Sequence, residues 1–218
     1  MSPDVMVRAL LAVVSMLLST CVHEYCHALA AYKLGDDYAA RLGRLTLNPL
    51  AHADPIGTIA LPALGTMMWG GAFGWGKPVP YIPNNLSRRF TMRAGEAIIA
   101  FAGPCANLVM AIVVAGLWVG LGRFGLIGHG GPLDALLRTM LSLNISLFFF
   151  NLLPLPPLDG SKIVAYLFGP KADGFLDTLS GSGNLGLLLA IAFGGTLISP
   201  PVRWLTAGLI QGFSALFY

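Results

Sequence analysis

The sequence predicts an all-α polytopic membrane protein that forms one domain over residues 1–218. Of its 218 residues, 56% are hydrophobic and only 11% are charged, whereas an ordinary soluble domain has roughly 25% charged residues. Several runs without a charged side chain reach the roughly 20 residues that a bilayer-crossing helix needs. The sequence contains no internal repeat and no polar region long enough for a second, soluble domain.

About six segments are predicted to be embedded in the membrane. The first is a helix within Val5–Ala31, whose charged residues are Arg8 and Glu24. We expect this helix to be retained, because the apolar run has no small-residue cleavage pattern. The other five are Pro55–Gly76, Ala97–Gly122, Thr139–Leu158, Thr178–Val202 and a shorter apolar tail, Trp204–Tyr218, which follows a break at Pro200-Pro201.

The connection after the first helix is predicted to contain a short β element. Residues 44–47, with the sequence Arg-Leu-Thr-Leu, alternate polar and apolar side chains. This alternation is typical of a half-buried strand. The dipeptide Asn48-Pro49 that follows is a turn signal and would end the strand.

Two histidines and a glutamate lie in the first apolar helix as His-Glu-Tyr-Cys-His, residues 23–27. Because successive helical residues rotate by about 100°, His23, Glu24 and His27 share one face. The spacing H-E-x-x-H is a zinc signature in which the histidines bind metal and the glutamate is the general base. A solvated polar face is the alternative in a soluble helix. At bilayer depth a charged side chain costs roughly 2.5 to 3.5 kcal/mol, which favours metal binding.

A third zinc ligand must come from elsewhere, because catalytic zinc usually has three protein ligands. Asp159 follows a long uncharged run whose prolines open the backbone, and irregular backbone at membrane depth is tolerated where it lines a cavity. The alternative for Asp159 is a solvated helix end. His52 and His129 lie in loops, where a histidine is more often solvated, and Asp54 could cap the next helix.

Three ordered motifs resemble the site-2 protease family of intramembrane zinc metalloproteases, in its short bacterial form without a PDZ domain. They are HEYCH at residues 23–27, FAGPCAN at residues 101–107 and NLLPLPPLDG at residues 151–160. The resemblance implies that His23, His27 and Asp159 bind Zn²⁺ and that Glu24 is the catalytic carboxylate. It also implies that Asn107 and Asn151 hold the substrate strand or polarise its scissile carbonyl. Asn107 could equally serve helix packing through an interhelical hydrogen bond.

Cys26 departs from the family pattern, because a small residue is expected between the two histidines. At about 60° from His23 its sulfur could approach the metal, although a small buried hydrophobe is the reading we favour. Cys21, Cys26 and Cys105 all lie in apolar stretches. No disulfide is predicted.

Zinc geometry constrains the topology. If Pro55–Gly76 crossed the bilayer, the helices that lead to His27 and to Asp159 would run in opposite directions. A zinc–ligand distance of about 2 Å forbids that, whereas a segment that dips in and returns makes the two helices parallel. The proline and glycines of this segment, such as Pro62 and Gly70, make a re-entrant element plausible.

The distribution of basic residues then assigns the sides of the membrane. By the positive-inside rule the side richer in Lys and Arg is cytoplasmic, and the metal would lie in that half of the bilayer. The richer side carries Lys33, Arg41, Arg44, Lys77, Arg88, Arg89, Arg93, Lys162 and Lys171, and the other side Arg8, Arg123, Arg138 and Arg203. The formal charge of +3 is too dispersed for a nucleic-acid surface.

We therefore expect a zinc endopeptidase of the bacterial cytoplasmic membrane, whose partners are lipid and the transmembrane segments of other proteins. A helical substrate must unwind to expose a peptide bond, and the strand at residues 44–47 could receive it by edge pairing. A divalent-metal transporter that uses the same cluster is one alternative. A scaffold locked by a closed, four-coordinate zinc site is the other. The sequence defines no oligomeric state.

Overall fold

The computed structural model describes residues 2–183 and 185–217 and is built from α-helices. A π-helical turn, Pro55–Ala60, leads directly into α4, and a 3-10 turn, Pro83–Asn85, precedes α5. The helices are α1 (Pro3–Lys33), α2 (Tyr38–Arg41), α3 (Pro49–His52), α4 (Leu61–Trp69), α5 (Met92–Arg123), α6 (Pro132–Asn151), α7 (Asp159–Phe168), α8 (Pro170–Gly181) and α9 (Leu185–Phe217).

Four of these helices, α1, α5, α6 and α9, are long and apolar enough to cross a membrane. The all-α membrane class is therefore confirmed, and the protein is an integral membrane protein. The count of six embedded segments is not confirmed. The predicted helix at Thr139–Leu158 begins earlier, at Pro132, and ends at Asn151, because the prolines that follow cannot continue it.

The predicted break at Pro200-Pro201 is wrong, because α9 runs through both prolines. A proline removes one backbone N–H from the helix and leaves a carbonyl without its donor. Here the hydroxyl of Ser199 donates to the carbonyl of Thr196 (3.3 Å), which is the acceptor that Pro200 cannot use. In apolar helices, serine side chains commonly compensate for proline in this way. The predicted segments Thr178–Val202 and Trp204–Tyr218 thus give way to the end of α8 followed by one long helix.

α5 is the centre of the bundle and packs against α1, α6, α7 and α9. Its small residues Ala111 and Ala115 are completely buried. They face Leu141 and Ile145 of α6 within one apolar cluster. Small side chains let helix backbones approach closely, which is how helices associate in lipid.

No β-strand is present in the described part of the chain, and residues 44–47 are irregular, with a bend at Leu45 and Thr46. The β element is therefore not confirmed. The polar side chains of the alternating pattern have local roles. Arg44 is buried and donates to the carbonyl of Lys77, and the Thr46 hydroxyl accepts from the Asn48 backbone N–H (3.2 Å).

The two ends of the Pro55–Gly76 segment lie side by side. The Trp75 N–H donates to the Gly57 carbonyl (3.1 Å), and the Lys77 N–H donates to the His52 carbonyl (2.8 Å). Between these ends, α4 stops at Gly70, which has a φ of +74°, a conformation that glycine adopts without strain. The chain thus leaves and returns at one place.

Candidate metal centre

α1 and the start of α7 bring three potential metal ligands together. His23 and His27 are one turn apart on α1 and buried, and Asp159 is the first residue of α7. The two Nε2 atoms are 2.9 Å apart, and each lies 3.4 Å from the Asp159 Oδ2. Within the described residues, these three side chains are the His/Cys/Asp/Glu group whose ligand atoms could share one metal ion.

The loop between α6 and α7 delivers Asp159 to this position. It spans residues 152–158 and folds back against Gly160, the second residue of α7, where a Cβ atom would collide with the carbonyls of Leu152 and Leu153. Only glycine fits this close backbone approach. This explains the glycine directly after the aspartate.

A bidentate ion pair holds α7 and α8 against the start of α5. The guanidinium of Arg93 donates to both carboxylate oxygens of Asp173 (3.0 and 2.7 Å). It also donates to the carbonyl of Ala165 on α7 (3.1 Å). The helix that begins with Asp159 is thereby tied to α5.

The second nitrogen of each imidazole has an acceptor. His27 Nδ1 lies 2.7 Å from the Ile99 carbonyl, and His23 Nδ1 lies 2.7 Å from the Asn107 Oδ1. Oxygen atoms of this kind only accept hydrogen bonds, so both Nδ1 atoms carry a proton, and in the neutral imidazole each Nε2 then presents a lone pair. Such bonds orient ligating histidines in metal sites.

The donor set fits zinc. The two Nε2 atoms converge on the Asp159 Oδ2, which is buried and accepts no hydrogen bond from the described residues. With both imidazoles neutral, two lone pairs and one carboxylate oxygen point at one place, an arrangement that a divalent cation satisfies. Two imidazoles and one carboxylate are a usual ligand set of catalytic zinc.

Glu24 is buried beside the cluster without belonging to it. Its Oε2 accepts a hydrogen bond from the Val79 backbone N–H (2.8 Å). Glu24 lines the same cavity as the three ligand residues. The sequence did not point to Val79, because a backbone donor leaves no residue-type signal.

The cluster lies in the wall of a cavity of about 440 Å³. The rest of the lining is mostly apolar, and Phe73 makes edge-to-face contacts with Trp75 and Phe150, with ring centroids 6.0 and 5.9 Å apart. Asn151 also lines the cavity. Its Nδ2 donates to the Leu147 carbonyl (3.0 Å).

Asn107, in contrast, lies behind His23 and is not part of the cavity lining. Its side chain is completely buried, and its Oδ1 is occupied by His23. Its Nδ2 donates to the Asn144 Oδ1 (2.9 Å) and to the Ser19 carbonyl (3.3 Å). The side-chain oxygen and nitrogen of Asn107 are thus both engaged within the protein, and its contact with substrate stays a prediction.

An extended segment, Gly74–Pro80, passes along the cavity beside Glu24. The N–H groups of Trp75, Lys77 and Val79, every second residue, all donate to the protein, as expected for the paired edge of a strand. The N–H of Gly76 lies on the other edge, where the described residues provide no acceptor for it. The segment thus has one paired edge and one open edge, whose N–H donors are confined to its glycines because Pro78 and Pro80 have no N–H.

Polar side chains gather at one end of the cavity. The Tyr81 hydroxyl donates to the Glu96 Oε1 (3.2 Å), and the Lys162 ammonium lies 3.9 Å from the same oxygen. Burial and the Glu96 carboxylate raise the pKa of Tyr81. Tyr81 therefore stays protonated at neutral pH and acts as a donor.

The remaining candidate ligands lie outside the cluster. His52 is buried with its Nε2 2.8 Å from the Thr46 carbonyl, and burial lowers its pKa, so it is a neutral structural residue. Asp54 caps the π-helical turn by accepting from Ile56 and Gly57. Cys26 is a free thiol outside the metal cluster, as are Cys21 and Cys105.

A helical membrane protein with a buried His-His-Asp cluster and an adjacent glutamate has the features of a zinc hydrolase. The family model of peptidase family M50 matches residues 125–173. The chain is 36% identical over 215 residues to "Putative zinc metalloprotease YwhC" of Bacillus subtilis (strain 168), which covers 94% of this chain and 91% of that protein. No solved structure matches it.

More distant relatives have similar names. Identity is 28% over 208 residues to "Putative zinc metalloprotease Rip2" of Mycolicibacterium smegmatis, covering 89% of this chain and 70% of that protein. It is 33% over 99 residues to "Zinc metalloprotease MJ0392" of Methanocaldococcus jannaschii, covering 45% of this chain and 27% of that protein. The chain belongs to peptidase family M50, the site-2 protease family. It is an intramembrane zinc metalloprotease, and neither the transporter nor the scaffold alternative is favoured.

Proposed function

We propose that His23, His27 and Asp159 bind the zinc ion and that Glu24 is the general base, in an enzyme that cleaves peptide bonds within or near transmembrane segments of other proteins. The observation that carries this assignment is the buried Asp159 Oδ2 without a hydrogen-bond donor, 3.4 Å from the Nε2 of each histidine. Zinc, when bound, lowers the pKa of water to about 7 and polarises a carbonyl.

Glu24 is placed for proton transfer. The Val79 N–H holds its Oε2, which leaves Oε1 to accept a proton from the attacking water. Glu24 then passes this proton to the leaving amine, as a general base that becomes a general acid. The neighbouring apolar walls exclude bulk water and strengthen these electrostatic interactions.

The two asparagines have different roles in this proposal. Asn151 lines the cavity and is the substrate-binding residue. Asn107 acts through His23, whose Nδ1–H it accepts, and is a positioning residue. Loss of such a hydrogen bond behind a metal ligand typically costs about 10–100-fold in metal affinity.

The unwound substrate pairs with the open edge of Gly74–Pro80 rather than with residues 44–47. This segment is extended, lies in the cavity lining and leads to Glu24. Strand addition to an open edge supplies main-chain hydrogen bonds without regard to sequence.

The protein forms one intramembrane domain over residues 1–218, and its Pro55–Gly76 segment is re-entrant. The hydrogen bonds that join Gly57 to Trp75 and His52 to Lys77 support a return to the side of entry. The basic residues concentrated on the side of Lys33 make that side cytoplasmic by the positive-inside rule. The metal centre then lies in the cytoplasmic half of the bacterial membrane, surrounded by lipid, where water and a transmembrane substrate meet.

The test compares the purified wild type with Glu24→Gln on a panel of single-span membrane peptides, with product identification by mass spectrometry. We expect cleavage to fall about 10²–10⁴-fold while zinc content stays at one ion per chain. Asp37→Asn is the matched control, because Asp37 pairs with Arg41 on the surface. Full cleavage by Glu24→Gln, or zinc transport by this variant in vesicles, would contradict the assignment.

A further inference from the structure

A chain of polar side chains crosses three membrane helices behind His23. It runs from Asn107 of α5 to Asn144 of α6 and on to Ser19 of α1, and all three side chains are completely buried. Asn144 accepts from the Asn107 Nδ2 (2.9 Å) and donates through its own Nδ2 to the Ser19 Oγ (2.9 Å) and the Met140 carbonyl (2.8 Å).

The donor-to-acceptor direction of these side-chain hydrogen bonds is fixed at Met140, where Asn144 meets a backbone carbonyl. The Met140 carbonyl can only accept, so the Asn144 amide must turn its NH₂ group toward Met140. The Asn144 Oδ1 then points toward Asn107. Because this oxygen only accepts, Asn107 must donate to it through its own NH₂ group. The oxygen of Asn107 is left to face His23.

We propose that Asn144 is a positioning residue that fixes the amide orientation of Asn107 and, through it, the tautomer of His23. With the Asn107 oxygen toward the ring, His23 carries its proton on Nδ1 and keeps Nε2 as a lone pair. The inference rests on the proposed function in one respect, because it matters for catalysis only if His23 binds zinc.

Loss of Asn144 would release this constraint. The second acceptor of the Asn107 Nδ2 is the Ser19 carbonyl at 3.3 Å, a longer bond than the one to Asn144. The Asn107 amide could then reverse and present a donor to the Nδ1 of His23. The imidazole would move its proton to Nε2, the atom that faces His27 and Asp159, and Nε2 would then have no lone pair for a metal ion.

The sequence offers a weak signal for this residue. Asn144 stands in an apolar stretch of α6, where a polar amide without partners would be costly. Interhelical packing alone could account for such an amide. A packing role predicts no effect on the tautomer of His23, and this difference is measurable.

The experiment uses full-length protein with ¹⁵N-labelled histidine side chains, freed of zinc, and reads the tautomer of His23 from its ring nitrogen shifts, assigned by comparison with His23→Ala. Asn144→Leu removes the acceptor at similar volume. Thr139→Val is the matched control, because the Thr139 hydroxyl donates to the Ala135 carbonyl of its own helix, its one hydrogen bond among the described residues. Zinc affinity is measured in parallel by competition with a chelator.

A second set of variants, made in the Asn107→Asp protein, distinguishes an effect on amide orientation from an effect on helix packing. In Asn107→Asp both side-chain oxygens accept, so His23 must keep its proton on Nδ1 whether or not Asn144 is present. We expect Asn144→Leu to populate the Nε2–H tautomer and weaken zinc binding about tenfold in the otherwise wild-type protein, at the lower end of the range for outer-shell partners. We expect neither effect from the same change in the Asn107→Asp background.

The outcomes are distinct. An unchanged tautomer in Asn144→Leu overturns the inference, and so does weaker zinc binding in both backgrounds, which would indicate damaged packing. A shifted tautomer with unchanged zinc affinity supports the orienting role of Asn144 and instead removes His23 from the proposed ligand set.

Discussion

Two aspartates near opposite ends of α6 show how a structural carboxylate differs from the one that we propose as a metal ligand. Asp134 in the first turn accepts hydrogen bonds from the Trp118 indole (2.8 Å), the Gly130 N–H (3.0 Å) and the Arg138 guanidinium (3.1 Å). Asp159, beyond the last turn, faces two imidazole lone pairs and has a buried oxygen without a donor. The first carboxylate is satisfied by the protein, and the second is left for a cation.

Neutralising each aspartate in turn should give the largest difference between the two sites, measured as zinc affinity. Asp159→Asn removes a charged ligand, and we expect zinc affinity to fall by more than about 100-fold, beyond the range for outer-shell partners. Asp134→Asn should leave zinc affinity within about twofold, since its partners already complete its hydrogen bonds. Competition with a chromogenic chelator measures both. Equal losses would remove the distinction.

Gly103 of α5 contacts the two histidines beside Asp159 and tests the same site from a neighbouring helix. A Cβ atom at this position would collide with the ring of His27 and lie 2.7 Å from the His23 Cε1. Gly103→Ala should therefore displace the ligands and weaken zinc binding about 10–100-fold, comparable to the loss of an outer-shell partner. Gly122→Ala on the same helix is the control, because no atom lies within 4 Å of its Cβ position. A normal zinc affinity in Gly103→Ala would show that α1 and α5 can separate freely.

The stability of the zinc-free protein should depend on Asp134 and not on Asp159 once both imidazoles of the cluster are neutral. Asp134→Asn weakens bonds to charged and backbone donors and should lower the free energy of unfolding by about 1–3 kcal/mol. With neutral imidazoles, Asp159→Asn replaces an unpaired buried oxygen by an amide that can donate to the Nε2 of His23 or His27, and should not lower it. Thermal unfolding in detergent after zinc removal tests this, and a loss of stability in Asp159→Asn would be the contrary result.

Trp118→Phe should have the smallest effect. It removes one of the donors to Asp134 while the Gly130 and Arg138 bonds remain, and the ring under the Arg138 guanidinium is retained. We expect a loss of about 0.5–1.5 kcal/mol and unchanged zinc affinity. A loss as large as that of Asp134→Asn would mean that the indole carries most of the stabilisation.

The sequence predicted the three residues that converge, because each is costly at membrane depth unless it has a partner. It also led to the side-by-side ends of Pro55–Gly76, because only that topology lets His27 and Asp159 meet. Both arguments use local chemistry and a distance of about 2 Å, and neither needs tertiary detail.

Other features depend on contacts that the sequence does not display. Ser199 compensates for Pro200, so the helix break expected from proline does not occur. The alternation at residues 44–47 reflects the contact of Arg44 with Lys77 rather than a strand. Asn107 faces a histidine instead of the cavity, because a helical residue's rotation relative to a neighbouring helix is set by packing.

The continuity of α9 has a consequence for the surrounding bilayer. Its 33 residues rise about 50 Å at 1.5 Å each, which exceeds a hydrocarbon core of about 30 Å. The helix must therefore tilt or extend beyond the lipid, and each ångström of mismatch costs a fraction of a kcal/mol. Since Leu187 near its start lines the cavity, we expect a change of bilayer thickness to be transmitted to the cavity wall.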